Sequence, residues 1–142
     1  MAGNTTLKDK VVVITGASSG IGKACAIAFA KEGARVMLAA RDEEKLREVA
    51  RTIREQDHVA AICKTDVSKE DDCKRLMEET IREFGTIHIL INNAGISMRA
   101  VFAETDLKVI RQLMDINFWG TVYCTRYAIA EIIKNNPTPL RR

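Results

Sequence analysis

A glycine-rich segment near the N-terminus most constrains how this chain can fold. It reads TGASSGIG over residues 15–22, directly after the apolar run 11–14 and before a helical pattern that ends at Gly33. A strand that turns sharply into a helix needs residues without a Cβ, and the helix N-terminus that follows attracts phosphate groups. The segment therefore predicts a strand–turn–helix unit that cradles a phosphorylated ligand. The alternative is a tight structural turn without a ligand.

Short apolar runs alternate with amphipathic helical patterns along the rest of the chain. The runs lie at residues 36–40, 59–62 and 87–91. Continuous apolar strands indicate a parallel sheet buried on both faces, and strand–helix alternation indicates an α/β doubly wound fold. We expect residues 1–134 to form the dinucleotide-binding half of such a domain. We expect residues 135–142, which hold both prolines, to be a disordered or aberrant tail.

Several residues are predicted to begin or end helices. Asp42 is a good N-cap for the second helix, and Ser68 opens a segment similar to a capping box for the third. Gly85 is expected to end that third helix. Thr105 is expected to cap one long helix that runs to about Lys134.

Composition excludes several classes of function. The net charge is only +3, with 22 basic residues spread among 19 acidic ones, which argues against a nucleic-acid-binding face. The four cysteines form no CxxC pair, and with two histidines they give no zinc-site spacing. Residues 1–10 lack the apolar core of a signal peptide, and no apolar run approaches 18 residues. We therefore expect a cytoplasmic protein without metal, membrane or nucleic acid.

Four motifs together resemble the short-chain dehydrogenase/reductase family. They are TGASSGIG at residues 15–22, Asp66-Val67 after the third strand, NNAG at residues 92–95 after the fourth, and Asn117 in the long helix. The resemblance covers about residues 8–134. It implies a Rossmann-type doubly wound parallel sheet of strand order 3-2-1-4, truncated after about four strands and a long helix.

The resemblance also implies which residues contact a dinucleotide cofactor. They are Gly16, Ser18, Ser19, Gly20, Ile21, Gly22, Arg41, Asp66, Val67, Asn93, Ala94 and Gly95. In the family the Asp66 position contacts the adenine, and NNAG both holds the sheet and lines the nicotinamide ribose. Asp66 could instead serve as a turn residue, and Asn92 and Asn93 could be purely structural.

The end of the second strand favours NADP(H) over NAD(H). Dinucleotide-binding folds specific for NAD usually carry a carboxylate there to hold the ribose 2′-OH. This chain has Ala40 at that position, followed by Arg41, whose guanidinium suits a 2′-phosphate. Ser18 could donate a further hydrogen bond. Two alternatives stay open, because Arg41 could be a solvated surface residue and Asp42 could serve the ribose instead of capping its helix.

Most of the family's catalytic residues are absent from these 142 residues. In the family a tyrosine acts as general acid or base, with a lysine four residues later and a serine upstream. Only the helix asparagine, Asn117, has a counterpart here. Tyr123 and Tyr127 are not followed by such a lysine and are read as packing or surface residues.

We therefore expect an N-terminal fragment of an NADP(H)-dependent oxidoreductase that binds the cofactor but is inactive alone. One alternative is a non-catalytic dinucleotide-binding or regulatory partner of an intact homologue. Another is an enzyme completed by a second chain. Association is expected through the long helix at residues 105–134, or through residues 87–91 as an exposed apolar edge strand. No substrate is predicted.

Overall fold

The fold is a four-stranded parallel sheet with helices on both faces. A computed structural model describes residues 7–135. The elements are β1 Val11–Thr15, α1 Gly20–Lys31, β2 Arg35–Ala40, α2 Glu43–Arg54, β3 Val59–Lys64, α3 Glu70–Phe84, β4 Ile89–Ile91, a 3₁₀ turn Phe102–Glu104, α4 Leu107–Met114, a π-helical turn Asp115–Trp119 and α5 Gly120–Asn135. The strand order is β3-β2-β1-β4, and every pair is parallel. The α/β class and the order 3-2-1-4 are thus confirmed.

β1 lies at the centre of the sheet and is buried along its whole length. Val12 and Ile14 pack into the cluster that α1 and α2 cover, whereas Val13 packs into the cluster that α3 and α5 cover. Successive side chains of a strand point to opposite faces, so a strand covered on both faces must be apolar at every position. This explains why residues 11–14 form an unbroken apolar run.

β4 is shorter than the predicted run at residues 87–91, because it begins only at Ile89. The side chain of His88 takes over the backbone pairing at this end, since its Nδ1 accepts the N–H of Val11 at 2.9 Å. The N–H of His88 donates to the carbonyl of Val11 at 3.0 Å. Burial, with a smaller contribution from the charge of Lys10, lowers the pKa of His88 from its ordinary value. The ring is therefore held in the neutral form that accepts this hydrogen bond.

Two helix starts show where local signals succeeded and failed. Asp42 caps α2 as predicted, and its Oδ1 accepts the N–H of Lys45 at 3.1 Å. The capping box at Ser68 is wrong, because α3 begins at Glu70 after Lys69. Ser68 is committed elsewhere: its N–H and hydroxyl both donate to Oδ1 of Asp66, at 3.0 and 2.6 Å. The other end of α3 is as predicted, because the helix ends at Gly85.

The long helical segment expected up to about Lys134 is present from Leu107 to Asn135, with an irregular turn just before Gly120, but the predicted cap at Thr105 is wrong. Asp106 caps α4 by accepting the N–H of Lys108 at 2.8 Å, while the Thr105 hydroxyl donates to the carbonyl of Val101 at 2.9 Å. A π-helical turn, Asp115–Trp119, joins α4 to α5 without a break in the helical backbone. A helix is capped by the short polar side chain that reaches its free N–H groups, and here that side chain belongs to Asp106 instead of Thr105.

α5 continues one residue past its predicted end. The side-chain amide of Asn135 donates to the Thr86 hydroxyl, the Ile87 carbonyl and the Glu131 carbonyl, at 2.7, 2.7 and 3.0 Å. These bonds tie the last turn of α5 to the segment before β4. The tail predicted at residues 135–142 therefore does not include Asn135, and the remaining residues, 136–142, lie outside the part of the chain that the structure describes. Between residues 7 and 135, no helix is both long enough and apolar enough to cross a membrane.

Candidate functional site

A cleft of about 930 Å³ opens at the carboxyl ends of the strands. In open α/β sheets this edge, where the strand order reverses, is the usual place for ligands, and clefts of roughly 300–1,000 Å³ hold small molecules and cofactors. Eleven of the predicted binding residues line it: Gly16, Ser18, Ser19, Gly20, Ile21, Arg41, Asp66, Val67, Asn93, Ala94 and Gly95. Residues from four separate loops therefore meet at one site.

Gly22 is the predicted residue that does not line this cleft, and it lies buried beneath the turn. A Cβ on Gly22 would stand 2.2 Å from the carbonyl oxygen of Gly16 and 2.5 Å from the Asn93 amide nitrogen. Gly16 itself has a φ of +66°, and a Cβ there would stand 2.9 Å from the Cα of Ala94. The glycines thus let α1, the turn and the segment after β4 come closer together than any side chain would allow.

Thr15 joins the glycine turn to the segment after β4, and the sequence prediction missed this role. Its hydroxyl oxygen accepts the N–H groups of Asn93 and Ala94, each at 3.0 Å. The side-chain amide of Asn93 returns hydrogen bonds to the carbonyls of Thr15 and Gly16, at 3.1 and 3.3 Å. The structural interpretation of Asn93 therefore holds, and Asn93 also lines the cleft. A threonine that ends an otherwise apolar buried strand was the available signal, since a buried hydroxyl needs partners.

The N-terminus of α1 faces the cleft with its first N–H groups free of a side-chain cap. Those groups have no partner within a helix, and the Ser19 side chain does not accept from them. The first turn of α1 carries no acidic residue. Because the helix dipole places positive charge at this end, the turn is suited to an anion such as a pyrophosphate.

Three of the four charged side chains that line the cleft lie beyond the end of β2. Ala40, at the strand end, and Arg41, after it, both line the cleft. Within residues 7–135, the guanidinium of Arg41 makes no hydrogen bond or ion pair. Asp42 and Lys45 line the same part of the cleft, and Lys45 is a residue that the sequence prediction missed. No sequence motif marks Lys45 as a cleft residue, because its position there depends on the direction in which α2 leaves the sheet.

Asp66 is a turn residue in this fold as well as a cleft residue. Its Oδ1 holds Ser68, and its backbone N–H donates to the carboxylate of Asp72 at 2.8 Å. These bonds shape the connection from β3 to α3 and place Asp66 and Val67 at the cleft wall. The role that the sequence suggested for Asp66 toward an adenine stays a prediction.

Asn117 does not line the cleft, and it supports a residue that does. Its Oδ1 accepts the N–H of Ile96 at 2.8 Å, and its Nδ2 donates to the carbonyl of Ile96 at 2.7 Å. Asn117 lies within the π-helical turn, which carries one residue more than the ordinary helical repeat and is common at functional sites. The arrangement fixes the backbone after NNAG; a catalytic role for Asn117 stays a prediction.

Neither tyrosine lies at the cleft. The Tyr127 hydroxyl donates to the carboxylate of Glu70 at 2.6 Å, and this hydrogen bond raises the pKa of Tyr127. Tyr123 stacks against Trp119 with ring centroids 5.7 Å apart. A catalytic tyrosine base needs a lowered pKa, so the environment of Tyr127 opposes that function. In the described part of the chain, no three histidine, cysteine or acidic side chains are placed to hold a metal ion.

Comparison with known proteins places this geometry in a family context. A family model described as short chain dehydrogenase matches residues 10–138. The 11-beta-hydroxysteroid dehydrogenase A of Arachis hypogaea is 48% identical over 131 residues, which are 89% of this chain and 37% of that protein. The uncharacterized oxidoreductase YxnA of Bacillus subtilis (strain 168) is 44% identical over 123 residues, which are 87% of this chain and 35% of that protein.

Solved structures show the same fold. A hydroxysteroid dehydrogenase from Escherichia coli superposes with a TM-score of 0.89 at 30% identity, covering 93% of this chain and 56% of that one. A short chain dehydrogenase/reductase from Burkholderia phymatum, in complex with NAD, gives a TM-score of 0.88 at 30% identity, covering 92% of this chain and 46% of that one. The chain thus spans little more than a third of the curated relatives' length and about half of these structures.

Proposed function

This chain belongs to the short chain dehydrogenase family, and we propose that it forms the NADP(H)-binding part of an oxidoreductase. The observation that carries the proposal is the pair Ala40 and Arg41 at the cleft wall, where a carboxylate is missing and an unpaired guanidinium is present. A guanidinium can hold a 2′-phosphate through two parallel hydrogen bonds, and Ala40 adds no repulsive carboxylate at the strand end itself.

The other residues of the cleft suit the remaining parts of a dinucleotide. The uncapped N-terminus of α1, with Gly16, Ser18, Ser19, Gly20 and Ile21 around it, is suited to the pyrophosphate. Asp66 and Val67 are proposed to contact the adenine, and Asn93, Ala94 and Gly95 the nicotinamide ribose. Gly22 is proposed to act by allowing close packing rather than by contact. When bound, a nicotinamide dinucleotide supplies hydride transfer.

We further propose that the 142-residue chain does not catalyse this chemistry alone. No tyrosine in the sequence is followed four residues later by a lysine, and the hydroxyl of Tyr127 is already bonded to Glu70. Without a side chain that transfers a proton at the cleft, the chain can bind and orient a dinucleotide but lacks a general acid. Asn117 would support the reaction only by holding the backbone of Ile96 in place.

A binding titration tests the proposal. The chain is titrated calorimetrically with NADPH and with NADH, and Arg41→Ala is compared with Arg51→Ala, which removes an exposed arginine of α2 outside the cleft. Arg41→Ala should raise the Kd for NADPH by about tenfold or more, since charged hydrogen bonds contribute about 1.5–3 kcal/mol. The Kd for NADH should stay nearly constant, and Arg51→Ala should change neither. Equal affinity of the unmodified chain for both nucleotides would contradict the NADP(H) preference.

Association through α4 and α5 is a further part of the proposal. These helices and the π-helical turn between them expose large apolar side chains: Leu107, Met114, Phe118, Trp119, Val122, Ile129 and Ile133. Most of them recur at steps of four or seven residues and so share one helical face, which is typical of an interaction site; the edge of β4 offers a second one. Sedimentation should show self-association that Trp119→Ser together with Ile129→Ser reduces. A monomer at every concentration would contradict the proposal.

The same exposed face favours a second candidate function, that of a non-catalytic partner which docks on an intact homologue. A mixing assay separates the two candidates: the second predicts that this chain changes the activity of an intact homologue. NADPH oxidation that arises only in a mixture with a chain carrying the missing serine, tyrosine and lysine would instead indicate completion in trans.

The four free thiols, three of them buried, support a reducing compartment, and we propose the cytoplasm.

A further inference from the structure

One corner of the cleft gathers three charged side chains from the start of α2. Arg41 precedes the helix, Asp42 is its N-cap, and Lys45 lies in its first turn. All three line the main cleft, together with Ser18 from the glycine turn. The corner therefore holds two cations and one carboxylate where the proposed function places a 2′-phosphate.

The carboxylate of Asp42 opposes a second anion at this corner. It is needed for the fold, because its Oδ1 accepts the N–H of Lys45 and caps α2. The ammonium nitrogen of Lys45 lies 3.9 Å from the other carboxylate oxygen of Asp42. With Lys45 present, the three side chains carry a formal charge of +1; without it their charges cancel, and Arg41 alone would face both Asp42 and the phosphate.

The helix dipole does not favour Lys45 at this position, and its exposed ion pair with Asp42 contributes little to the stability of α2. The N-terminus of a helix disfavours a cation, because the dipole places positive charge there. The neighbouring Glu43 and Glu44 follow that rule, and Lys45 departs from it. Its side chain is 61% exposed, so it does not fill a gap in the core. The feature that remains is its place on the cleft wall beside Arg41.

We propose that Lys45 is a second determinant of NADP(H) selectivity, which neutralises Asp42 and attracts the 2′-phosphate beside Arg41. This inference rests on the proposed function, since it assumes that a dinucleotide binds in this cleft. The ammonium group acts as a point charge at the edge of the site, while the guanidinium of Arg41 provides directed hydrogen bonds. The two cations therefore contribute differently, and only their combination outweighs the charge of Asp42.

A neighbouring cleft supplies the matched control. This smaller cleft, of about 390 Å³, shares Arg41 and Asp66 with the main one and is also lined by Lys64 and Lys69. Lys69 is an exposed lysine close to Arg41 that does not line the main cleft. If any nearby positive charge were sufficient, removal of Lys69 would weaken NADPH binding as much as removal of Lys45.

The experiment measures the Kd of the 142-residue chain and its variants for NADPH and NADH by calorimetry. Lys45→Ala should raise the Kd for NADPH about 3- to 10-fold and change that for NADH less than about twofold. Lys45→Arg should keep the unmodified values, and Lys69→Ala should leave both within about twofold. Added salt should reduce the difference in the Kd for NADPH between Lys45→Ala and the unmodified chain, because salt screens exposed charges. Circular dichroism checks that each exposed substitution leaves the fold intact.

The outcomes separate this inference from the function on which it rests. If Arg41→Ala weakens NADPH binding selectively but Lys45→Ala does not, the role of Lys45 is overturned and the proposed function stands. If Lys69→Ala weakens NADPH binding as much as is expected of Lys45→Ala, the inference is also overturned. That result would mean that any nearby positive charge attracts the 2′-phosphate, whatever its position. If the unmodified chain binds neither nucleotide, the proposed function fails and the inference fails with it.

Discussion

Replacement of Gly22 by alanine sets two physical effects of opposite sign against each other. Gly22 is a helical residue of α1, and alanine in a helix is favoured over glycine by about 1 kcal/mol. Judged by helix propensity alone, Gly22→Ala should stabilise the protein. The tertiary structure predicts the reverse, because the new Cβ would stand 2.2 Å from the Gly16 carbonyl oxygen and 2.5 Å from the Asn93 amide nitrogen.

The size of this collision decides the sign. Close carbon–oxygen contacts in proteins are about 3.3–3.6 Å, so relief of the 2.2 Å approach needs a shift of more than about 1 Å. The atom to be displaced is backbone in the glycine turn, which the pair Thr15 and Asn93 holds by hydrogen bonds. Overpacking costs typically about 1–3 kcal/mol, and a backbone shift of this size places the cost in the upper part of that range, about 2–3 kcal/mol, above the gain in helix propensity. We expect Gly22→Ala to lose about 1–2 kcal/mol net of stability.

Urea unfolding followed by circular dichroism measures this change, with NADPH titration on the same samples. With a slope of about 1–3 kcal/mol per molar urea, the midpoint should fall by about 0.3–2 M. NADPH binding should weaken strongly because the turn is displaced. Gly85→Ala is the control. It places alanine at a φ of +85° where no atom lies within 4 Å, far from the cleft, so it should cost about 1–2 kcal/mol without loss of binding. A midpoint for Gly22→Ala equal to or above that of the unmodified protein would refute the packing argument.

Three further substitutions test hydrogen bonds, two of them at the cleft and the third, at His88, at the opposite end of β1. Thr15→Val removes the oxygen that accepts two N–H groups and should cost about 1–3 kcal/mol in urea unfolding, whereas Thr15→Ser should largely restore stability. Because the pKa of His88 is lowered in the folded protein, its contribution to stability is complete above about pH 6.5 and is lost as the pH falls through the folded-state pKa. His88→Asn should remove that part of the pH dependence, and the control His58→Asn should keep it. Asn117→Ala removes both hydrogen bonds to Ile96 and should increase amide hydrogen exchange at Ile96; unchanged exchange there would show that the amide does not hold the loop.

The sequence reasoning succeeded where a feature depends on neighbours along the chain or on the period of an element. The apolar run ending before Thr15 predicted a strand buried on both faces, because such a strand has no polar position. Asp42 and Gly85 were correct as helix boundaries for the same local reason, since a cap acts within one turn of backbone. The strand order came from family resemblance and agrees with the structure.

The sequence predictions failed where a side chain forms a hydrogen bond with a distant or competing partner. Ser68 has the composition of a cap, yet the carboxylate of Asp66 holds it instead. Thr105 was predicted to cap the helix, but Asp106, one residue later, caps α4. His88 shortened β4 because its ring reached Val11, 77 residues away in the chain. Each outcome depends on which donors and acceptors folding brings together, and a local pattern does not contain that information.

The amino-acid sequence by itself determined the alternation of strands and helices, the glycine turn after the first strand and the absence of an acid at Ala40. Those properties follow from the polarity of each residue, the spacing of apolar residues along the chain and the lack of a Cβ in glycine. All three can be read from the sequence without knowledge of tertiary contacts. Only the tertiary structure decided that Thr15 bonds the segment after β4, that the amide of Asn117 holds Ile96, and that Lys45 lies beside Arg41. These pairs are distant in sequence or depend on the angle at which a helix leaves the sheet, so packing of the whole sheet against its helices had to bring them together.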